Sequence, residues 1–362
     1  MGLGRLTIDL AAVVANWQQL AALASPAETA AVVKADAYGL GMTPVAQALN
    51  AAGCETFFVA SLAEGVALRA YLPDVAIIVL SEQVEPHVDE LIAHRLTPVL
   101  NHLAAIEAWR AQGAPHPAWL HLDTGMNRLG LSATDWQDLV AKQPDWKAYG
   151  IAGLMSHYAC ADERDHPLNR TQRDMAMQAA TAARLPLSLG NSSGIFLGEA
   201  FRGDLVRPGM ALYGLNPTPY AANPMRRVIT LEVQVLQVRQ VSAAGTVGYG
   251  ASAAAKQGQV LATVGLGYAD GLHRTLSNRG EVYFDGEAAP VAGRVSMDSI
   301  VIDASHLARR PKPGDWAEII GPNQSADTLA DMAGTIGYEI LTSLGQRYAR
   351  TYLPAHAAAR TG

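Results

Sequence analysis

The sequence predicts an α/β protein: a (β/α)8 TIM barrel followed by a C-terminal mostly β domain. Short apolar runs alternate with amphipathic stretches through residues 8–226, whereas residues 227–362 contain longer β-rich runs with glycine-marked turns. A chain of 362 residues also suits a barrel of about 250 residues joined to a smaller domain. Residues 1–7 are expected to add a strand to the second domain.

Eight apolar runs in the first domain have the length of strands. They are Ala30–Ala35, Thr56–Ala60, Ala76–Leu80, Thr97–Leu100, Ala118–Asp123, Ile151–Ser156, Pro186–Gly190 and Leu205–Leu212. The candidate crossover helices between them are Pro44–Ala52, Ala63–Tyr71, His87–Ala93, Leu103–Gln112, Asp135–Lys142 and Arg173–Ala183. Strand–helix units in one unbroken series predict a parallel barrel. A doubly wound open sheet is the alternative that this pattern leaves open.

The second domain is predicted from a change of texture after about residue 226. Its β-rich runs are Val228–Val241, Gln259–Val264, Glu281–Phe284, Ser299–Asp303 and Trp316–Ile320. The segment Asn216–Arg227, rich in Pro, Asn and Ala, is the natural linker between the two domains.

Composition excludes several classes of function. With 49% hydrophobic and 17% charged residues the chain is an ordinary globular protein, and a net charge of -6 argues against a nucleic-acid partner. No run reaches the roughly 20 apolar residues that span a membrane, and the N-terminus does not resemble a signal peptide, so a cytoplasmic location is expected. Cys54 and Cys160 have no metal-ligand spacing and are expected to be reduced and buried, and no metal site is predicted.

Lys34 is the most unusual lysine of the chain. It ends an apolar strand, where an ammonium group loses its hydration unless it is paired or neutralised. A lysine pushed toward neutrality at the C-terminal end of the first barrel strand is a nucleophile that can form a Schiff base. The alternative interpretation is a lysine that reaches from the strand end to water.

Other polar residues follow the later strands, on the barrel face where active sites lie. They are Asp123 and Arg128 after the fifth strand, His157 after the sixth, Asn191 and Ser192 after the seventh, and Arg207 in the eighth. Asn191 and Ser192 open the predicted helical stretch Ser193–Glu199 and can offer N–H groups and a hydroxyl to a phosphate. Gly209 has no side chain, so a further backbone N–H can approach the same phosphate closely. A helix cap, a surface ion pair or a core histidine would explain each residue alone. Together they predict a phosphate-binding active site.

Most of these residues lie in motifs that resemble those of the alanine racemase family, and the resemblance covers essentially the whole chain. The motifs that carry the resemblance are AVVKADAYGLG, LDTGMNRLG, SHYACADE, RPGMALYG, TVGYGAS, GYADG and GRVSMD. The resemblance implies a type III pyridoxal-phosphate barrel and a head-to-tail homodimer whose active sites are each completed by the partner chain. It implies two-base interconversion of L-alanine and D-alanine, which supplies D-alanine for peptidoglycan.

The resemblance also implies roles for individual residues. Lys34 matches the Schiff-base lysine, and Tyr249 matches a second catalytic base that comes from the opposite subunit. The expected cofactor-binding residues are Lys34, Tyr38, His157, Asn191, Ser192, Arg207, Gly209 and Met210. The expected substrate-binding residues are Arg128, Tyr268 and Met297. Arg207 matches the arginine that faces the pyridine nitrogen, and because it keeps its proton it should suppress transamination and decarboxylation.

Two positions depart from the family pattern. Many members carry a carbamylated lysine where His121 stands, and that lysine holds the arginine that matches Arg128. Histidine cannot form the same stable carbamate, so a bound anion such as chloride, or His121 itself, is expected to orient Arg128. Gln346 stands where several members place a phosphate-bonding tyrosine, for which Tyr348 is expected to substitute in part.

Three alternatives have different signatures. Type III amino-acid decarboxylases have a glycine-rich phosphate loop, a catalytic cysteine from the partner chain and a carboxylate at the cofactor nitrogen. This chain offers Arg207 and Tyr249 instead. A non-catalytic single-barrel cofactor-binding protein lacks the β domain that residues 227–362 predict. An amino-acid racemase of broader specificity stays open, because motifs do not define the size of the pocket.

Overall fold

The computed structural model of the chain describes residues 3–113 and 116–354. The chain divides into two compact units, of which the first runs from Val13 to Arg226. The second begins at Arg227 and also includes the N-terminal segment up to Ala12. Residues 1–2 of the predicted N-terminal strand and residues 355–362 of the predicted second domain lie outside the described residues.

The N-terminal segment forms strand β1 (Gly4–Asp9), which leads directly into helix α1 (Leu10–Ala24). Side chains alternate between buried and more exposed positions along β1. This alternation is typical of a strand with one face on a core. Strand β1 belongs to the sheet of the second unit, which is described below.

The first unit is a barrel of parallel strands. Its strand segments are β2 (Glu28–Thr29), β3 (Ala31–Val32), β4 (Thr56–Val59), β5 (Ala76–Val79), β6 (Thr97–Leu100), β7 (Ala118–His121), β8 (Ile151–Met155), β9 (Leu187–Asn191) and β10 (Leu205–Arg207). Because only Ala30 separates β2 from β3, the two segments share the first strand position, and they pair with β10 and β4 respectively. The sheet therefore closes on itself. The predicted barrel is confirmed, and the open-sheet alternative is excluded.

Helices follow the barrel strands as predicted, apart from the first short segment after Val33, which was not predicted and whose backbone angles are left-handed. They are α2 (Lys34–Gly39), α3 (Met42–Ala51), α4 (Leu62–Arg69), α5 (Val88–Ala93), α6 (Leu103–Ala111), α7 (Ala133–Ala141), α8 (Pro167–Ala183) and α9 (Ser192–Phe196). Helix α8 begins six residues before the predicted start at Arg173, because His166 caps it and Pro167 occupies its first position.

Two barrel strands end three or more residues before their predicted ends. The first ends at Val32 rather than Ala35, because the chain enters the helical turn α2 at Lys34. The last ends at Arg207 rather than Leu212. Pro208 has no N–H to donate to a neighbouring strand, and a 3-10 turn, Met210–Tyr213, follows it. Both errors lie at the C-terminal ends of strands, where the candidate site residues are.

The second unit is mostly β, as predicted. Its strands after β1 are β11 (Ile229–Gln240), β12 (Gly245–Val247), β13 (Ala253–Ala255), β14 (Val260–Val264), β15 (Glu281–Phe284), β16 (Glu287–Pro290), β17 (Ile300–Asp303), β18 (Trp316–Ile320) and β19 (Ala349–Leu353). Strand β1 lies between β11 and β19, antiparallel to the first and parallel to the second. Two helices that the sequence patterns did not predict, α10 (Ala326–Ala333) and α11 (Gly337–Ser343), precede β19.

The long strand β11 organises the sheet of this unit, since it pairs with β1, β14 and β18. Its first seven residues alternate between buried and half-buried positions, which is typical of a strand with one face on a core. No helix in the described part of the chain has the length and apolar character needed to cross a membrane.

Candidate active site

Polar side chains gather at the C-terminal ends of the barrel strands. Lys34 is the second residue after β3, and His157 is the second residue after β8. Asn191 is the last residue of β9, and Arg207 is the last residue of β10. Because the strands are parallel, these ends share one rim of the barrel, which is where enzymes of this fold place their active sites.

Arg207 and His157 form a buried hydrogen-bonded pair. Arg207 donates from Nη2 to His157 Nδ1 at 3.2 Å and to the Ser156 carbonyl at 2.7 Å, and from Nη1 to Ser188 Oγ at 2.6 Å. Burial lowers the pKa of Arg207 to about 10 and, together with the Arg207 charge, holds the pKa of His157 well below its ordinary value. Arg207 is therefore the charged member of the pair at neutral pH, and His157 is neutral with its proton on Nε2.

Lys34 is half-buried and begins an unusual turn. Ala35, Asp36, Ala37 and Tyr38 all have left-handed backbone angles, with φ between 53° and 56°. Such a conformation costs roughly 1–2 kcal/mol per residue for L-amino acids, so specific contacts must maintain it. Burial lowers the pKa of Lys34, and the Arg128 charge adds to this effect. The amine is thereby shifted toward its neutral, nucleophilic form.

Ser192 links the start of α9 to the segment that follows β10. Its Oγ accepts N–H bonds from Gly209 at 3.0 Å and from Ala211 at 3.3 Å. A Cβ on Gly209 would lie 2.3 Å from the Tyr38 hydroxyl oxygen, so any larger residue there would displace Tyr38. Met210, the residue after Gly209, is buried. Asn191 caps α9 by accepting the Gly194 N–H. Backbone N–H groups, a hydroxyl and a phenol thus converge at this rim.

The Tyr38 ring is held in place by a second aromatic ring. It packs against the Tyr213 ring with 4.7 Å between centroids. Tyr213 is buried, and its hydroxyl donates to the Val32 carbonyl at 2.8 Å. The strained turn after Lys34 is therefore anchored to the first barrel strand through two aromatic rings.

His121 lies on the same rim, at the end of β7. Its Nδ1 is 2.7 Å from Asn101 Oδ1, and the Asn101 amide nitrogen donates to the Leu80 and Val99 carbonyls. Asn101 therefore presents its oxygen to the ring, so His121 carries its proton on Nδ1 and has Nε2 as an acceptor. Burial, with the Arg207 charge as the second cause, lowers the pKa of His121 to about 4.

Arg128 follows in a loop that Asp123 organises. Asp123 Oδ1 accepts the N–H groups of Gly125, Met126 and Asn127 at 2.9–3.1 Å. Arg128 itself is exposed. Within the described residues its guanidinium forms no ion pair, which leaves it available to an anion.

The remaining candidate residues lie in the second unit. Tyr249 begins a glycine-flanked 3-10 turn and is 71% exposed. Tyr268 and Met297 are 44% and 51% exposed. Their loops are joined, because the Tyr268 and Ala269 N–H groups donate to the Ser296 and Met297 carbonyls at 3.0 Å. The structure therefore brings Tyr268 and Met297 close together on one surface.

Two family models account for most of the chain. The model described as "Alanine racemase, N-terminal domain" matches residues 8–217. The model described as "Alanine racemase, C-terminal domain" matches residues 228–352. The chain belongs to the alanine racemase family. The resemblance drawn from the sequence motifs is thereby confirmed.

Similar alanine racemases cover nearly the full chain. The alanine racemase of Acidiphilium cryptum is 50% identical over 95% of this chain and 97% of its own length. The catabolic alanine racemase of Agrobacterium fabrum is 47% identical over 97% of this chain and 92% of its own. The crystal structure of alanine racemase from Bartonella henselae with covalently bound pyridoxal phosphate is similar at a TM-score of 0.94, with 41% identity over 98% of this chain and 100% of that one.

The Tyr348 hydroxyl forms a hydrogen bond that competes with the role expected from the alanine racemase pattern. Tyr348 was expected to replace in part the tyrosine absent at Gln346. Its side chain is buried in the second unit, and its hydroxyl donates to the Asp270 carbonyl at 2.7 Å. Gln346 is exposed. The Tyr348 hydroxyl thus has a structural partner within its own unit.

The sequence patterns did not indicate two residues that lie near the site. Glu64 accepts the Ala35 N–H, beside Lys34. Gln172 is fully buried and holds the loop that carries His157, since it donates to the His157 carbonyl at 2.8 Å and accepts the Ala159 N–H at 2.9 Å. In the sequence both look like ordinary helix residues, and only tertiary contacts reveal their positions.

Proposed function

We propose that the chain is an alanine racemase that uses pyridoxal phosphate to interconvert L-alanine and D-alanine. The observation that carries the proposal is the environment of Lys34, a half-buried amine at the end of the first barrel strand whose pKa is lowered by burial and by Arg128. The names of the similar proteins and the pyridoxal phosphate in the Bartonella henselae enzyme support it.

The residues at the barrel rim fit a phosphorylated, covalently attached cofactor. Arg128 and Arg207 bring positive charge, whereas His121 and His157 are neutral, so the rim favours an anion. The phosphate would be held by Tyr38, Asn191, Ser192, Gly209 and Met210. Gly209 keeps space that a Cβ would fill. Lys34 would form the covalent bond, Arg207 would face the ring nitrogen, and His157 would fix the Arg207 guanidinium. When bound, the cofactor supplies an electron sink that acidifies the α-proton of the amino acid.

Two bases on opposite faces of the α-carbon account for conversion in both directions. The neutral amine of Lys34 takes the proton from one face, and the hydroxyl of Tyr249 in the partner chain delivers a proton to the other. Arg207 holds its own proton throughout, because a pKa of about 10 still lies well above neutral pH. It can therefore donate a hydrogen bond to a ring nitrogen without protonating it, and this limits side reactions.

The substrate is expected to be bound by both chains of a homodimer. Arg128 would pair with the carboxylate of alanine. Tyr268 and Met297 of the partner would narrow the entrance, which favours a small side chain. We further propose that the enzyme works in the cytoplasm and supplies D-alanine for cell-wall peptidoglycan, without nucleic-acid or membrane partners.

Borohydride trapping tests the proposed function. The full chain is incubated with pyridoxal phosphate, reduced, digested and mapped, and the untreated enzyme is assayed for racemisation of alanine, serine and lysine. We expect the label on Lys34 and the highest rate on alanine. A label on another lysine would contradict the site, and equal rates on lysine would contradict the choice of substrate. Lys142, an exposed residue at the end of α7, is the internal control for non-specific labelling.

A further inference from the structure

The Glu64 carboxylate bridges the ends of the first two barrel strands. Its Oε1 accepts the Ala35 N–H and its Oε2 accepts the Ala60 N–H, both at 2.7 Å. Glu64 lies in the first turn of α4, and Ser61 caps that helix by accepting the Glu64 N–H. Both bonds are short and charge-assisted, which makes them stronger than bonds between neutral groups.

One of these bonds holds the start of the strained turn. Ala35 follows Lys34 directly and is the first of the four left-handed residues. Asp36, the second residue of the turn, accepts the Met42 N–H with Oδ1 at 2.7 Å and so ties the turn to the start of α3. A run of left-handed non-glycine residues persists only where surrounding contacts enforce it. The Ala37 N–H also donates to the Val33 carbonyl at 2.8 Å, across Lys34. Glu64 adds a side-chain contact to the residue directly after the lysine and so helps to set the direction in which the Lys34 side chain leaves the backbone.

Glu64 also brings negative charge close to Lys34. Burial lowers the pKa of Lys34 and the charges of Arg128 and Arg207 lower it further, whereas Glu64 acts in the opposite direction. Its carboxylate therefore limits how far the amine is driven toward neutrality while it fixes the adjacent backbone.

We propose that Glu64 is a positioning residue for Lys34, which it holds in the geometry needed for covalent attachment of an aldehyde cofactor. This inference rests on the proposed function of Lys34. Glu64 acts through the backbone of Ala35 and through its charge, and not by contact with the reacting atoms. Its effect should therefore appear in how the cofactor attaches as well as in turnover.

Glu82 provides a matched control. It accepts the Leu62 N–H with Oε2 at 2.7 Å and the Gln83 N–H with Oε1 at 3.2 Å. This is the same kind of carboxylate-to-backbone contact, one strand further around the barrel. Among the described residues, its hydrogen-bond partners lie outside the Lys34 turn.

The test compares Glu64→Gln, Glu64→Asp and Glu82→Gln in the full-length protein. Glutamine has one acceptor oxygen for two N–H groups, so we expect Glu64→Gln to bind pyridoxal phosphate about tenfold more weakly in an absorbance titration. Removal of the charge should also move the pH dependence of covalent attachment to lower pH. Glu64→Asp keeps the charge and should restore the pH dependence while affinity stays reduced. Glu82→Gln should match the wild type in both measurements.

The two proposals fail in different ways. Wild-type protein that does not form a borohydride-reducible bond at Lys34 would contradict the proposed function. Wild-type attachment at Lys34, with unchanged affinity and pH dependence in Glu64→Gln, would overturn only the role of Glu64. Equal losses in Glu64→Gln and Glu82→Gln would also overturn it, because they would indicate a general loss of barrel stability.

Discussion

Arg207 and Tyr249 are held in very different ways. The Arg207 side chain is 5% exposed and donates to Ser188, Ser156 and His157 within its own unit. The Tyr249 side chain is 71% exposed, and its hydroxyl has no hydrogen bond within the described residues. The first is fixed before any ligand arrives, whereas the second is not fixed by its own unit.

This difference separates two halves of the proposed chemistry. The residues proposed to hold the cofactor form a network that the barrel builds alone, as preorganised electrostatics requires. The proposed second base lies on an open surface in a glycine-flanked turn. Under the proposed function, Tyr249 becomes ordered only against a second chain. The comparison leads to the expectation that a monomer can bind the cofactor but cannot racemise.

The largest expected effect comes from the barrel side. Lys34→Ala removes the amine that serves both as covalent anchor and as base, so we expect activity to fall by at least about 10⁴-fold. The absorbance of covalently attached cofactor should vanish as well. Lys142→Ala, in an exposed position, should leave both unchanged. Residual covalent attachment in Lys34→Ala would transfer the role to another lysine.

Tyr249→Phe tests the proposed second base, which lies on an exposed surface of the second unit. Loss of one positioned general acid–base should lower the racemisation rate by about 10²–10⁴-fold, with cofactor affinity unchanged because the barrel contacts stay intact. Tyr71→Phe, another exposed tyrosine, is the control and should have no effect. A Tyr249→Phe enzyme with normal rates in both directions would exclude the residue as a base.

Gly209→Ala sharpens the description of the phosphate end. The φ of −126° permits alanine, so the clash of the new Cβ with the Tyr38 hydroxyl is the relevant change. Overpacking of this kind costs about 1–3 kcal/mol. Because it displaces the Tyr38 hydroxyl, we expect cofactor binding to weaken by the corresponding factor of roughly 5 to 150. Gly245→Ala, where a Cβ meets nothing within 4 Å, should bind normally. Equal binding by the two variants would remove Gly209 from the phosphate site.

His121→Gln is expected to change the pH dependence of stability, which is the smallest of these effects. The pKa of His121 falls to about 4 in the folded chain, against about 6.5 when unfolded. Between these values only the unfolded chain binds the proton, so stability is full above about pH 6.5 and declines as the pH falls toward 4. His121→Gln keeps a donor for Asn101 and should remove about 2 kcal/mol of the stability lost between about pH 7.5 and pH 5. Urea unfolding at both pH values measures this, and an unchanged pH dependence would contradict the assignment.

The orientation of Arg128 stays a prediction that chloride can test. If a bound anion orients this arginine, replacing chloride by a larger, weakly bound anion should raise the KM for alanine. If His121 Nε2 orients it directly, the KM should be insensitive to chloride and should rise in His121→Gln.

The barrel was predictable from the sequence because buried parallel strands are short, nearly continuous apolar runs, such as Thr56–Val59 and Ala76–Val79. The end of the last strand at Arg207 was also within reach, since Pro208 signals it. The left-handed turn after Lys34 was not. Its left-handed positions hold no glycine, and contacts distant in sequence, such as that of Glu64, maintain it.

The site was predictable in its membership but not in its internal order. Strand ends and motifs indicated Lys34, His157 and Arg207. Arg207 is oriented toward His157 by side-chain and backbone groups 19 to 51 residues away from it, which no local pattern encodes. The neutral state of His157 likewise follows from burial that only the folded chain creates.

A mixed dimer tests the central claim most directly. Lys34→Ala and Tyr249→Phe chains, each expected to have at most about 1% of wild-type activity alone, are co-expressed with different affinity tags, and the heterodimer is purified. If each site combines Lys34 of one chain with Tyr249 of the other, one of the two sites is intact, and about half of the wild-type activity should return. A heterodimer as inactive as its parents would show that both bases belong to the same chain.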